Sequence, residues 1–125
     1  MKYIDQQLRL TNHLSKPMVL EEFGFDRDHG LCAPDSPVTA RNQFYQTVFN
    51  QVEQIADSGG SLVGTNFWTW GGFGRTPRPD YIWQNGNPFI GDPLPEPQGR
   101  NSVFNTDTDT LEIIKEHSQK LSAIS

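Results

Sequence analysis

The sequence predicts an α/β fold in which two parallel strands alternate with three helices. One apolar run covers residues 18–23, a second covers residues 61–70, and helical periodicity surrounds both. Strands that alternate with helices along a chain form parallel βα units. Because parallel strands are normally covered on both faces and this chain has few helices to cover them, we expect it to be one part of a larger domain.

The first helix is predicted over residues 3–14. Ile4, Leu8, Thr11 and Leu14 fall at helical spacing, with polar residues on the other side. Pro17 disfavours a helical residue before it, so the helix should end there. Residues 18–23 then form the first strand, which ends in two carboxylates.

A loop rich in Asp, Gly and Pro over residues 26–38 precedes the second predicted helix, at residues 39–57. Ser36 or Thr39 could begin that helix. Gly59 and Gly60 should end it, since glycine adopts the left-handed cap conformation at little cost. Its predicted apolar face comprises Phe44 or Tyr45, Val48, Val52, Ile55 and Ala56.

Residues 71–105 show little periodicity, and prolines recur through them. Their aromatic residues argue against disorder, which is poor in aromatics, so we expect a long functional loop. The last helix is predicted over residues 109–124, with Asp109 as N-cap and Glu112 completing a capping box. The expected organisation is one partial domain over residues 1–125: a helix at 1–15, a βα unit at 16–60 and a βα unit at 61–125.

Composition narrows the possible partners. The formal net charge is -5, and no Lys or Arg cluster could neutralise phosphates, so nucleic acid is not an expected partner. No apolar run approaches the length of a membrane span, and the first residues lack a signal-peptide core. Cys32 is the only cysteine, which excludes an internal disulfide. We expect neither a cofactor nor a metal, because His13, His29 and His117 have no ligand spacing.

The ends of the two strands carry the most informative side chains. Glu21 and Glu22 close the first strand, and Trp68 and Trp70 close the second. A buried carboxylate without a partner is costly, so a strand that ends in two of them should open onto a site. Carboxylates and indoles at the ends of successive strands suggest a site that handles sugars.

Three segments together carry a family resemblance: residues 16–24 (Lys-Pro-Met-Val-Leu-Glu-Glu-Phe-Gly), 64–72 (Gly-Thr-Asn-Phe-Trp-Thr-Trp-Gly-Gly) and 91–104 (Gly-Asp-Pro-Leu-Pro-Glu-Pro-Gln-Gly-Arg-Asn-Ser-Val-Phe). In this order they resemble the C-terminal quarter to third of endo-1,4-β-mannanases of glycoside hydrolase family 5. The resemblance implies a fragment of a retaining (β/α)8 TIM barrel, from about helix 6 to helix 8. Active sites of such barrels lie at the carboxyl ends of the strands.

The resemblance also implies roles for single residues. Glu22 matches the catalytic nucleophile and Trp68 the platform beneath the sugar, while Trp70 and Trp83 are further candidates for substrate binding. Strand alternation would place Glu22 on the face of Met18 and Leu20, and would turn Glu21 toward the helices, where it needs a hydrogen-bonding partner. The loop residues Asp26, Arg27 and Asp28 are expected to be solvated, and the alternative is that they line the cleft.

A retaining glycosidase needs a second carboxyl group, and the family supplies it from an Asn-Glu pair that this sequence lacks. We therefore expect the chain to be inactive alone, and to self-associate through its exposed strand edges. The implied partner is β-mannan or galactomannan, and the implied location of the parent enzyme is secreted or periplasmic. Two alternatives stay open: an aromatic-rich polysaccharide-binding module, and a fragment of a family 5 cellulase or β-glucanase.

Overall fold

The computed structural model describes residues 2–11 and 13–124. Two parallel pairs of strands, β1 with β2 and β3 with β4, are combined with three α-helices. In chain order the elements are α1 (Lys2–Thr11), β1 (Met18–Phe23), a 3₁₀ turn (Asp28–Gly30), α2 (Thr39–Asp57), β2 (Leu62–Phe67), β3 (Trp70–Gly72), β4 (Val103–Phe104) and α3 (Thr108–Ile124). The three predicted helices and the two predicted parallel strands occur in the expected order, and the structure adds the 3₁₀ turn, β3 and β4.

Three boundaries differ from the sequence-based prediction. The first helix ends at Thr11, with Leu14 already in a turn; Asn12 lies outside the described residues. The expected second strand is divided, since β2 ends before Trp68 and β3 begins at Trp70, with a cis peptide bond from Trp68 to Thr69 between them. The expected loop at 71–105 contains β4, which pairs with β3.

The core lies between the helices and one face of the β1–β2 sheet. Its central surface is the apolar face of α2, and its buried members are Ile4, Tyr45, Val48, Phe49, Val52, Leu62 and Val103. Met18, Leu20 and Phe23 pack against it from β1, and Leu111 and Ile114 pack against it from α3. The predicted apolar face of α2 is therefore largely correct.

The other face of this sheet is open. Val19 and Val63 each remain 47% exposed, and the residue paired with Val19 on β2 is Gly64, which has no side chain to cover it. Among the described residues β1 has β2 as its one neighbour. A strand edge without a neighbour presents unpaired N–H and C=O groups.

The N-terminus of α2 is capped by a residue far from it in sequence. The Asp28 carboxylate accepts hydrogen bonds from the N–H groups of Thr39 (3.1 Å) and Ala40 (2.9 Å). We had expected Ser36 or Thr39 to begin the helix, but neither caps it with its side chain. The 3₁₀ turn brings Asp28 to that end of the helix in their place. Asp109, the expected cap of α3, lies inside its first turn.

Gly59 ends α2 as the sequence predicts. Its φ of +77° is the left-handed conformation that glycine adopts without a steric cost, and its N–H donates to the Ala56 carbonyl. No helix among residues 2–11 and 13–124 is both long and apolar enough to cross a bilayer.

The open sheet face predicts self-association in solution. We expect the wild-type chain to form a dimer or larger species at high concentration, since pairing would cover Val19 and the free edge of β1. The substitution Val19→Lys should weaken this association, because charged side chains on an edge strand oppose pairing. Ser118→Lys, on the exposed surface of α3, is the control. Light scattering after size exclusion measures the effect; a wild-type chain that stays monomeric would contradict it.

The Asp28 cap predicts a dependence of stability on pH. The hydrogen bond from the Ala40 N–H holds the pKa of Asp28 below its ordinary value of 3.8. Because the folded-state pKa is the lower one, the stabilisation is present above 3.8 and is lost as pH falls through the folded-state pKa. Asp28→Asn should therefore lower the urea midpoint at neutral pH, and the difference from wild type should shrink in acid. Asp57→Asn, at the other end of α2, is the control; a difference that does not change with pH would argue against this cap.

Candidate active site

Glu22 lies at the carboxyl end of β1, outside the regular strand ladder. Glu21 pairs with Asn66 and Phe23 pairs with Phe67, which leaves Glu22 as the extra residue of a bulge. Its φ of +55° is uncommon for a residue other than glycine, and its side chain is exposed. Bulges of this kind redirect side chains and are common beside active sites.

The predicted orientation of Glu21 was wrong, because the strand contains a bulge at Glu22. Met18 and Leu20 pack against the helical core, so Val19 and Glu21 lie on the open face of the sheet, and not toward the helices as alternation from Glu22 implied. Alternation fails because the extra residue changes the phase of the strand. The hydrogen-bonding partner of Glu21 lies on β2 and not among the helices: the Asn66 side-chain amide donates to the Glu21 Oε1 atom at 3.2 Å.

Trp68 is fixed against the segment that follows Glu22. Its N–H donates to the Phe23 carbonyl at 2.8 Å, and its own carbonyl accepts from the Tyr45 hydroxyl at 3.3 Å. A Cβ atom on Gly24 would lie 2.4 Å from the Trp68 carbonyl oxygen, so only glycine permits this approach. The structure thus brings the backbones at Glu22 and Trp68 to one edge of the sheet.

Tyr45, on α2, packs against the carboxyl ends of β1 and β2 from the helical side of the sheet. It is fully buried, and its ring lies edge-on to Phe23, with the ring centroids 5.5 Å apart. Burial raises the pKa of Tyr45 well above its ordinary value, so the hydroxyl remains protonated and can donate to the Trp68 carbonyl. One helix residue therefore contacts the chain beside the candidate nucleophile and the candidate platform.

The other two tryptophans occupy different places. Trp70 begins β3 and is 53% exposed, with its indole beside Gly72. Trp83 is half-buried in the loop between β3 and β4, where its indole N–H donates to the Asn87 carbonyl at 3.0 Å. Trp70 therefore adjoins Trp68 along the chain, whereas the one polar atom of Trp83 is used within its own loop.

Two buried arginines join the segment after Glu22 to the last strand. Arg27 forms an ion pair with Asp107 at 2.5 Å, and is 1% exposed, so the expectation of a solvated loop was wrong for this residue. Arg41 donates to the carbonyls of Phe25, Arg100 and Ser102, each at 2.9 Å. Arg27 itself donates to the carbonyls of Ser36 (2.8 Å) and Gly99 (3.3 Å). The loop therefore folds inward around Arg27, because its buried guanidinium finds hydrogen-bond acceptors there.

A buried carboxylate organises the segment 91–104. Asp92 accepts hydrogen bonds from the Gly99 N–H (2.6 Å), from the Asn101 backbone and side-chain amides (3.0 Å each) and from the Ser102 hydroxyl (3.0 Å). Neither the role of Asp92 nor the Arg27–Asp107 pair was predicted from the sequence. No local pattern separates such residues from surface charges, because their partners lie elsewhere in the chain.

Comparison with known proteins shows the family to which the chain belongs. A model of glycoside hydrolase family 5 β-mannosidase-like proteins matches residues 1–125. The chain belongs to this family. Comparison with curated protein sequences gives no significant match.

Solved structures agree with the family assignment. The glycoside hydrolase family 5 mannosidase from Rhizomucor miehei is 33% identical, with a TM-score of 0.84 over 98% of this chain and 31% of that chain. The structure of a glutamate-to-alanine mutant of that enzyme is 32% identical, with a TM-score of 0.82 over 98% of this chain and 31% of that chain. A second glutamate-to-alanine mutant, in complex with mannosyl-fructose, is 32% identical, with a TM-score of 0.81 over 98% of this chain and 30% of that chain. This chain thus spans just under a third of these relatives.

The buried ion pair predicts a large and specific loss of stability. Asp107 pairs with Arg27 and also lies 3.6 Å from the Nη1 atom of Arg41. Asp107→Asn removes this carboxylate from the two buried arginines, which should cost roughly 3–5 kcal/mol in the free energy of unfolding. Asp80→Asn removes the partner of Arg78 in an exposed pair, and should leave stability almost unchanged. Urea denaturation of both variants measures the contrast. If the two variants lowered the free energy of unfolding equally, burial would not be what makes the Arg27–Asp107 pair contribute to stability.

Proposed function

We propose that this chain is the C-terminal part of a retaining β-mannan endohydrolase, corresponding to about helix 6 to helix 8 of a (β/α)8 barrel. The observation that carries the proposal is the common edge formed by Glu22 and Trp68 at the carboxyl ends of two parallel strands. Barrel enzymes place catalytic groups at that end of their strands. The family match over the whole chain supports the same assignment.

Glu22 is the proposed nucleophile, which attacks the anomeric carbon and forms a covalent glycosyl-enzyme intermediate. Its exposure at a strand bulge leaves the carboxylate open to a sugar. The second carboxyl group of a retaining enzyme must lie about 5–5.5 Å away and protonate the leaving oxygen. Glu21 is a poor candidate, since it is engaged by Asn66 on the same strand pair. Without an Asn-Glu pair the chain alone lacks its proton donor.

Trp68 is the proposed platform for the sugar whose bond is cleaved. The transition state carries positive charge on the sugar ring, and the face of an indole attracts positive charge. Trp70 would contact a neighbouring sugar at the rim, and Trp83 is proposed as a more distant contact.

The substrate is proposed to be β-mannan or galactomannan. The Rhizomucor miehei relative binds mannosyl-fructose, which supports a mannosyl unit at the corresponding site. An endo-acting β-glucanase of the same family is the alternative enzyme. A polysaccharide-binding module is supported less well, since such modules are usually antiparallel β-sandwiches and this chain has parallel strands and three helices.

A chimera tests the proposed nucleophile. The part of the Rhizomucor miehei mannosidase that aligns with this chain is replaced by residues 1–125, and hydrolysis of mannohexaose is measured. We expect activity from the chimera and none from the isolated chain, because general acid–base assistance contributes about 10²- to 10⁴-fold and most of the cleft is absent. Glu22→Gln in the chimera should reduce kcat at least a thousandfold, as expected for loss of about 4 kcal/mol of transition-state stabilisation.

Glu21→Gln is the matched control, because Glu21 is one residue away and is also exposed to solvent. It should leave kcat within about tenfold of the unsubstituted chimera, because its carboxylate contacts Asn66 and not the sugar. An active chimera that tolerates Glu22→Gln would refute the assignment. Robust release of reducing sugar by the isolated chain would show that the missing proton donor is not needed.

A further inference from the structure

A buried histidine joins three elements of the fold. His117, on α3, is 4% exposed, and its ring lies flat on the ring of Phe49 from α2, with the ring centroids 3.9 Å apart. Its Nδ1 atom lies 2.8 Å from the Glu53 carboxylate of α2, and its Nε2 atom lies 3.0 Å from the Thr65 hydroxyl of β2. Both ring nitrogens are therefore engaged, one with each of the two elements that pack against α3 here.

The hydrogen bonds of this cluster have defined directions. A carboxylate only accepts hydrogen bonds, so the Nδ1 atom of His117 carries the hydrogen and donates to Glu53. With its hydrogen on Nδ1, the imidazole accepts at Nε2 from the Thr65 hydroxyl. Glu53 is also paired with Lys120, whose Nζ atom lies 3.2 Å from Glu53 Oε2. The imidazole thus links α2 to β2 through one donor and one acceptor.

The sequence of hydroxyl, imidazole and carboxylate is also that of a hydrolytic triad, in which the hydroxyl attacks a substrate. The adjoining cavity of about 150 Å³ is lined by side chains of α2 and α3, with His117 and Glu53 among them. Thr65 is not one of its lining residues, so a molecule in this cavity would not meet the hydroxyl. The cluster is therefore suited to holding β2 in place.

The same face of α2 contacts the second strand again near its end. Tyr45, Phe49 and Glu53 follow one another at intervals of four residues, so they share one face of the helix. The Tyr45 hydroxyl donates to the Trp68 carbonyl, and the Tyr45 and Phe49 ring centroids lie 5.7 Å apart. One helix face therefore holds this part of the chain at two points that are three residues apart.

Both points lie against the strand that carries the candidate nucleophile. Thr65 pairs with Leu20 of β1, and the Trp68 N–H donates to the carbonyl of the residue after Glu22. Because only two residues separate the two points, the backbone between them has little freedom to shift while both are held. Loss of the His117 contact would release one of them, and the position of Trp68 would then be less well defined.

We propose that His117 is a positioning residue for the proposed platform: by holding β2 at Thr65, it fixes Trp68 relative to Glu22. The inference rests on the proposed function, because it concerns a reaction at those two side chains. His117 contacts neither of them and acts through Thr65. A displacement of about 1 Å at a reacting centre can lower a rate about a hundredfold, so catalysis should be sensitive to this contact.

Kinetics of the chimera test the role of His117. Thr65→Val removes the hydroxyl and keeps the shape of the side chain, whereas His117→Ala removes the imidazole. Each should lower kcat for mannohexaose about ten- to hundredfold and leave KM within about twofold, because the other sugar contacts are unchanged. His117→Gln should restore most of kcat, since its amide also offers a donor and an acceptor. The double variant should be no slower than His117→Ala, because both substitutions remove one shared contact.

Thr110→Val is the matched control. Thr110 is fully buried on α3, and its hydroxyl donates to the Asn42 side chain of α2 at 2.6 Å. It therefore joins the same two helices, but its hydrogen bond does not reach β2. Thr110→Val should lower the urea midpoint and leave kcat within about twofold of the unsubstituted chimera. An equal loss of kcat in Thr110→Val and His117→Ala would make His117 a structural residue only and would overturn the inference.

Hydrogen exchange in the isolated chain tests the contact without turnover. The Trp68 amide, which is bonded to β1, should exchange about tenfold faster in Thr65→Val and His117→Ala, but not in Thr110→Val. Unchanged exchange at Trp68 in the first two variants would overturn the inference.

Failure of this inference and failure of the proposed function give different results. If the chimera depends on Glu22 but its kcat tolerates His117→Ala and Thr65→Val, only the role of His117 is wrong. If exchange at Trp68 is faster in these variants but the chimera does not depend on Glu22, His117 holds the strand and the proposed function is wrong.

Discussion

The buried ion cluster of Arg27, Arg41 and Asp107 is the constraint on which the rest of the strand-end structure depends. A buried charge without a partner is strongly destabilising, so these side chains hold their partners' segments in place together. Arg41 binds the carbonyl of Phe25, three residues after Glu22, and Arg27 binds the carbonyl of Gly99. The loop after β1 and the segment before β4 therefore cannot shift independently.

The candidate active site is built on that fixed base. Tyr45 supports Trp68 and Phe23 from the helical side, and the bulge leaves Glu22 exposed at the edge. The helical side of the sheet is packed, whereas its opposite face is open. This asymmetry agrees with a chain that spans 31% of the length of its relative.

The loop between β3 and β4 is likewise organised around a buried charged side chain. Asp92 at its base is fully buried and gathers amides and a hydroxyl, while Phe73 and Phe89 at its surface are exposed. Rigid internal bonding with exposed side chains is how loops on a scaffold acquire binding roles. Its irregular backbone is thus compatible with a defined surface.

The sequence by itself determined the order of helices and strands, the apolar face of α2 and its end at Gly59, because these depend on local periodicity and local backbone freedom. It also indicated Glu21, Glu22, Trp68 and Trp70 through their positions at strand ends, and the family resemblance selected Glu22 and Trp68 from them. Only the tertiary structure decided the bulge at Glu22, the division of the second strand and the burial of Arg27. Each depends on partners distant along the chain: Arg27 and Asp107 are 80 residues apart, and no local pattern can encode which pairs will meet.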